Sequence, residues 1–189
     1  MKNMLKPSLA GMLLLALFTL AFPAQAKEKT EEQLIQELAS PNASKVTDAL
    51  QALEKQYPTS TNGFAAMKKL LTDDRAKVRR KAARVLGVLH AEVDEANIQA
   101  ICKLLKSSDV DEMTDGLKAL RGLKAPSAVP EILPLLKHPN SHIVRDACRT
   151  LAVLGNKETI TSIEPLLNSP EAAVKKDAQD AIYILKQKP

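Results

Sequence analysis

Apolar residues recur along this chain with two superimposed periods, one the length of a helical turn and one of about thirty residues. A short unit, an apolar helix end followed by turn-forming residues, appears five times: Leu38-Ala39-Ser40-Pro41, Leu71-Thr72-Asp73-Asp74, Leu105-Lys106-Ser107-Ser108, Leu136-Lys137-His138-Pro139 and Leu167-Asn168-Ser169-Pro170. The leading leucines lie 33, 34, 31 and 31 residues apart. Four positions before each leucine stand Leu34, Met67, Ile101, Ile132 and Ile163. Eleven after it the residue is always small: Ala49, Ala82, Gly116, Ala147, Ala178. Fifteen after come Leu53, Leu86, Leu120, Leu151 and Ile182, and eighteen after come Gln56, Leu89, Leu123, Leu154 and Leu185. Offsets of 11, 15 and 18 share one face of an α-helix.

Each repeat therefore reads as a helix A ending at the leucine, a turn, and a helix B of about four turns. The small position marks a close approach of two helices. Neither helix can bury its apolar stripe alone, so the pairs must stack. The expected fold is all-α: a right-handed α-solenoid of about five stacked helix pairs, with repeats near 30–58, 60–91, 94–125, 126–156 and 157–187. Thr30-Glu31-Glu32-Gln33 reads as a capping box for the first helix A, and Asp94 and Ser127 as N-caps for the third and fourth. Pro170 suits the first turn of the last helix B, while Pro134 and Pro165 fall inside helix A and should bend it.

The N-terminus breaks the pattern. Lys2 and Lys6 precede an apolar run from Leu9 to Phe22, then Pro23 and Ala24-Gln25-Ala26. That is the layout of a cleavable signal peptide over residues 1–26, leaving 27–189 as a single repeat domain, periplasmic or secreted. Fourteen helical residues rise about 21 Å, short of the ~30 Å hydrocarbon core, so no transmembrane anchor is expected after cleavage.

Composition narrows the partners. The 189 residues carry 27 Lys+Arg against 22 Asp+Glu, a net charge of +5, with 45% apolar and 3% aromatic residues. Losing Lys2 and Lys6 lowers the balance to +3, too mild for the field of a nucleic-acid binder. No Trp, two Tyr, three Phe and six Gly argue against a β-sandwich or barrel.

In its residues the repeat resembles the HEAT family, in the short form found in phycobilisome lyases. Lys69-Leu70-Leu71-Thr72-Asp73-Asp74 with Val78-Arg79, Ala82-Ala83 and Leu86-Gly87 carries the likeness, and Leu135-Leu136, Ile143-Val144-Arg145, Ala147 and Leu151 repeat it. The resemblance spans residues 31–189. It implies an Asp–Arg ladder between repeats, whose spacing only Asp73 and Arg79 satisfy, and B helices lining a concave, ligand-facing side. It also implies chromophore attachment, which export would place in the wrong compartment.

Signals for bond chemistry are sparse. His138 and His142 straddle a turn containing Pro139 and Asn140, an arrangement unlike metal ligands on one helical face. His90 ends a helix B, near its last carbonyls. The His-Glu dipeptides of di-iron HEAT-like hydroxylases are absent from the sequence, as are a phosphate loop, a nucleophile elbow and Cys-x-x-Cys. No enzyme, metal or cofactor is expected. Cys102 and Cys148 read either as buried small apolar residues or as a bridge if their Cα atoms approach within about 7 Å.

One surface pattern suggests binding. Offsets 9, 13 and 16 lie opposite the buried face of helix B: Arg80, Arg84, Gly87; Thr114, Lys118, Arg121; Arg145, Arg149, Ala152; Lys176, Asp180, Tyr183. Seven of these twelve are basic and one is acidic. Offset 10 supplies Asp48, Lys81, Asp115, Asp146 and Asp177 beside them. Either the ridge is a balanced, solvated face, or Arg80, Arg84, Lys118, Arg121, Arg145, Arg149 and Lys176 bind an anionic partner. The expected role is an exported, non-catalytic adaptor for a protein or peptide. The alternatives are a structural subunit joined end-on through Tyr183, Ile184 and Leu185, or a lyase-like enzyme accessory.

Overall fold

In the computed structural model, which describes residues 28–189, side-chain caps start several helices where the turn residues put them. Asn42 Oδ1 accepts from the amides of Ser44 and Lys45, Asp109 Oδ1 from Asp111 and Glu112, and Asn140 Oδ1 from His142. Each cap satisfies backbone donors that a helix start leaves open. The helices are α1 (Glu31–Glu37), α2 (Ala43–Gln56), α3 (Phe64–Lys69), α4 (Ala76–Val88), α5 (Glu95–Cys102), α6 (Val110–Gly122), α7 (Val129–Ile132), α8 (Ser141–Leu154), α9 (Ile160–Ile163) and α10 (Ala172–Gln187). No strand occurs among the described residues. Odd-numbered helices are the A members and even-numbered ones the B members of five pairs. Each B helix stacks on the next, α2 on α4, α4 on α6, α6 on α8 and α8 on α10.

From the second repeat on, helix A tightens into a 3-10 helix at its end. These segments are Leu70–Thr72, Lys103–Lys106, Leu133–Lys137 and Glu164–Asn168. The two longest contain Pro134 and Pro165, which lack the amide an α-helix needs there. Repeats 2 and 3 tighten with no proline, so the geometry belongs to the A–B turn and the prolines extend it.

Asp94 caps α5 as expected, through the Asn97 amide. Two expected boundaries move. Ser127 lies within a 3-10 turn, Pro126–Ala128, that begins after Ala125, and α7 starts at Val129. Pro170 precedes the N-cap Glu171, so it stands just outside α10. The segment assigned to a signal peptide, 1–26, lies outside the described residues.

The recurring columns form the core. Leu34, Met67, Ile101, Ile132 and Ile163 are at most 2% exposed, and the small residues at offset 11 and the aliphatics at offset 15 are all buried. At roughly 1.5–3 kcal/mol per fully buried aliphatic side chain, these columns supply the main stabilisation. The offset-18 column is looser: Leu154 and Leu185 are buried, Leu89 and Leu123 half-buried, and Gln56 exposed. Another buried column joins successive repeats at offset 12, through Leu50, Ala83, Leu117 and Cys148. In α10 the same offset is the exposed Gln179.

The tightest crossing is between α4 and α6. A Cβ on Gly122 would lie 2.3 Å from the Gly87 carbonyl oxygen, and one on Gly87 would lie 2.7 Å from Ala119 Cα. Both helices then close on a left-handed residue, His90 (φ 50°) and Lys124 (φ 52°), with Ala91 and Ala125 donating back to Leu86 and Leu120. The His90 ring is placed differently from the expectation, since its Nδ1 meets the Gly122 carbonyl of the neighbouring repeat at 2.7 Å.

Candidate functional site

The exposed face of the B helices carries the charged positions singled out in the sequence, and stacking brings most of them onto carboxylates of adjacent repeats. Between repeats 1 and 2, Glu54 takes Arg84 Nη2 at 2.9 Å and Lys81 Nζ at 3.6 Å. Burial, with Arg84 adjoining, holds the Lys81 ammonium below the ordinary lysine range despite Glu54. Between repeats 2 and 3, Arg80 meets Asp115 at 2.9 Å, Asp111 at 3.6 Å and Asp109 at 3.7 Å. Between repeats 4 and 5, Asp177 receives Arg145 at 2.6 Å and Arg149 at 3.1 Å, and Arg149 also reaches Asp146 at 3.4 Å. Lys176 pairs along its own helix with Asp180 at 2.8 Å.

These arginines act first as struts between repeats. Each exposed pair contributes at most about 1 kcal/mol, but the Asp177 side chain is only 10% exposed, so its two arginines also relieve a buried charge. Repeat 3 departs from this scheme. Thr114 occupies the place of Arg80 and Arg145, and neither the exposed Lys118 nor the half-buried Arg121 has an ion-pair partner among the described residues. A groove of about 450 Å³ lined by Thr47, Asp48, Gln51, Lys77, Arg80 and Lys81, among others, opens on the same face over repeats 1 to 3.

A second network lies at the A–B turns. Here the expected Asp73–Arg79 pairing is corrected. Asp73 is gripped by Arg75, at 2.8 Å through Nε and 2.7 Å through Nη2, and those hydrogen bonds hold its carboxyl below the usual range. Arg75 also donates to the carbonyls of Ser40 and Pro41 in the preceding repeat. Arg79 donates instead to the backbone oxygens of Asp73 and Asp74, and its Nη2 reaches Glu112 at 3.2 Å. Ser107 Oγ donates to the other Glu112 oxygen at 2.6 Å. The ladder between repeats exists, but an arginine two residues after the aspartate and a buried glutamate carry it. Glu112 escaped the sequence reading because its column is mixed, with apolar Val78, Ile143 and Val174 but the exposed Lys45 in the first repeat. A carboxylate in the stacked interior repeats, between Val78 and Ile143, was the available signal.

Cys102 and Cys148 are separate buried thiols, and burial pushes them up to about 11 and about 12 respectively, which suppresses thiolate at neutral pH. His138 Nδ1 accepts from the Asn140 amide across the turn. No group of three or more potential metal ligands occurs among the described residues, and no helix there is long and apolar enough to cross a membrane. Tyr183 and Ile184 are 68% and 45% exposed on α10.

Comparison with known proteins accords with this geometry. A family model described as HEAT repeats matches residues 98–182. A chain from the complex of CpcE and CpcF of phycocyanin lyase from Nostoc sp. PCC7120 superimposes with a TM-score of 0.71 at 24% identity, covering 89% of this chain and 70% of that one. An engineered protein aligns with a TM-score of 0.66 at 22% identity, over 84% of this chain and 80% of its own. A designed armadillo repeat protein, solved in complex with the peptide (KR)4, aligns with a TM-score of 0.65 at 16% identity, over 81% of this chain and 80% of its own. No curated protein matches the sequence. Residues 98–182 thus match the HEAT-repeat family, and the helix pairs before them extend the same stack into an all-α solenoid similar to HEAT and armadillo folds.

Proposed function

We propose that this protein is an exported, non-catalytic adaptor that binds a protein partner on its B-helix surface. The observation that carries the reading is the row of B helices, each stacked on the next through a buried apolar column, with its other face left to long charged side chains. A surface fixed by stacking is preorganised, so binding spends little on ordering it. Mixed charge on that surface confers selectivity and orientation more than raw affinity. The armadillo-type neighbour solved with a peptide supports the use of such a fold for recognising a polypeptide. Export rests on the Lys2-to-Ala26 pattern and sets the partner among envelope or extracellular proteins. The anionic preference rests on Lys118 and Arg121, which stacking leaves uncommitted.

Affinity capture from a native envelope preparation, with the chain from Lys27 onward as bait, tests the reading. Wild type should retain a discrete partner, and R84S/K118S/R149S should lose most of it while keeping its helical circular dichroism. Equal capture by both proteins removes the B-helix surface from the account. A concentration-dependent mass by light scattering would favour the alternative of a structural subunit, to which the exposed Tyr183 and Ile184 lend some surface.

A further inference from the structure

Deepening the adaptor reading, on which this rests, we infer that a carboxylate-bearing peptide segment of the partner bridges α6 and α8, contacting Lys118 and Arg121 on one helix and Arg149 on the other.

At every other seam of the stack a B-face cation is neutralised by a carboxylate of the adjoining repeat: Arg84 and Lys81 by Glu54, Arg80 by Asp115, Arg145 by Asp177. Those groups gain little from an incoming anion, which would have to displace a partner already in place. Between repeats 3 and 4 no B-face ion pair forms among the described residues, because Thr114 stands at the place of Arg80 and Arg145, and Arg121 at that of Glu54, which pairs the first seam. Lys118 occupies the position of Arg149 in its own repeat, yet it makes no ion pair. Arg121 lies one turn further along the same helix face. Across the seam, the Arg149 side chain is 45% exposed despite its bonds to Asp146 and Asp177. Two uncommitted cations, Lys118 and Arg121, and an exposed Arg149 that shares Asp177 with Arg145 therefore coincide with the seam that lacks its strut.

Flanking charges select the kind of anion. Asp115 and Asp146 lie beside these cations, on the same two helices, and are only 19% and 14% exposed. A dense polyanion laid over the seam would meet both carboxylates. A peptide with separated acidic side chains can place one on each helix and avoid them. Packed helix axes lie about 8–10 Å apart, and a polyproline II chain, which returns its side chains to one face every third residue, rises about 3.1 Å per residue. Acidic residues about three positions apart therefore match the span.

Titration of the 15N-labelled chain with a short synthetic peptide bearing two glutamates three positions apart tests the inference. Saturable shifts at Lys118, Arg121 and Arg149, weakened by salt, are expected. They should vanish when the glutamates become glutamines. K118S/R121S touches no ion pair and should fold normally, yet bind about three- to tenfold more weakly. Shifts elsewhere, equal binding of the glutamine peptide, or undiminished binding by K118S/R121S overturns the seam assignment. Tighter binding of short inorganic polyphosphate at these residues overturns the choice of a carboxylate partner. The adaptor reading fails separately, by equal capture of the envelope partner with R84S/K118S/R149S.

Discussion

Leu151→Ala should lower the free energy of unfolding by about 2–5 kcal/mol, measured by urea denaturation with an unchanged slope. Leu151 is fully buried on α8, among the residues shared with its own helix A and with the stacked repeats. Truncation removes the transfer free energy of the lost methyl groups and leaves a cavity that close-packed helices refill only in part. The central position of α8, stacked between α6 and α10, predicts a loss for the whole chain and not for one frayed repeat. The companion substitution Val153→Ala, at a side chain 43% exposed two positions along the same helix, should change stability by less than about 0.5 kcal/mol. Equal effects at the two positions would mean that the buried stripe of α8 has been misplaced.

Gly122→Ala should destabilise although alanine is the better helix former. In an exposed helix interior the exchange gains about 1 kcal/mol. Here the added carbon would sit 2.3 Å from the Gly87 oxygen and 2.8 Å from the Gly87 carbonyl carbon, atoms of a helix backbone that cannot rotate away. The α4–α6 crossing must widen, which loosens Leu86 against Leu120 and pulls His90 from the Gly122 carbonyl. Overpacking of this kind costs about 1–3 kcal/mol. Gly63→Ala supplies the contrast, because the nearest atom to its added carbon is the terminal methyl of Met67 at 3.1 Å, the flexible end of a side chain. Thermal unfolding should show a clear fall for Gly122→Ala and little change for Gly63→Ala. A Gly122→Ala protein as stable as wild type would remove the close crossing from the account.

The fold was legible because stacking repeats one physical demand five times. Any residue at offset 15 must fill the same space between helices, so Leu53, Leu86, Leu120, Leu151 and Ile182 converge on one chemistry. Gln56 could break its column because the end of α2 is exposed, with the half-buried Tyr57 following it. The start at Ser127 was misread because a 3-10 turn, Pro126–Ala128, precedes the helix, and that at Pro170 because Glu171 takes the N-cap one residue later, differences that capping chemistry alone does not encode. The basic ridge was visible as a row of side chains, but its state was not. Arg145 finds Asp177 32 residues away and Arg80 finds Asp115 35 residues away, partners set by the register of stacking. Read across consecutive repeats, offset 9 against offset 10 of the next, the sequence contains that pairing, and it contains the gap at Thr114 as well.

Methyl relaxation with a soluble paramagnetic agent tests the stacked-pair architecture most directly. The methyl groups of Ala82, Leu86, Leu120, Ala147 and Leu151 should be nearly unaffected, while those of Val88, Val153 and Ile184 on the same B helices are strongly broadened. Comparable broadening of the two sets would contradict the burial on which every other conclusion here depends.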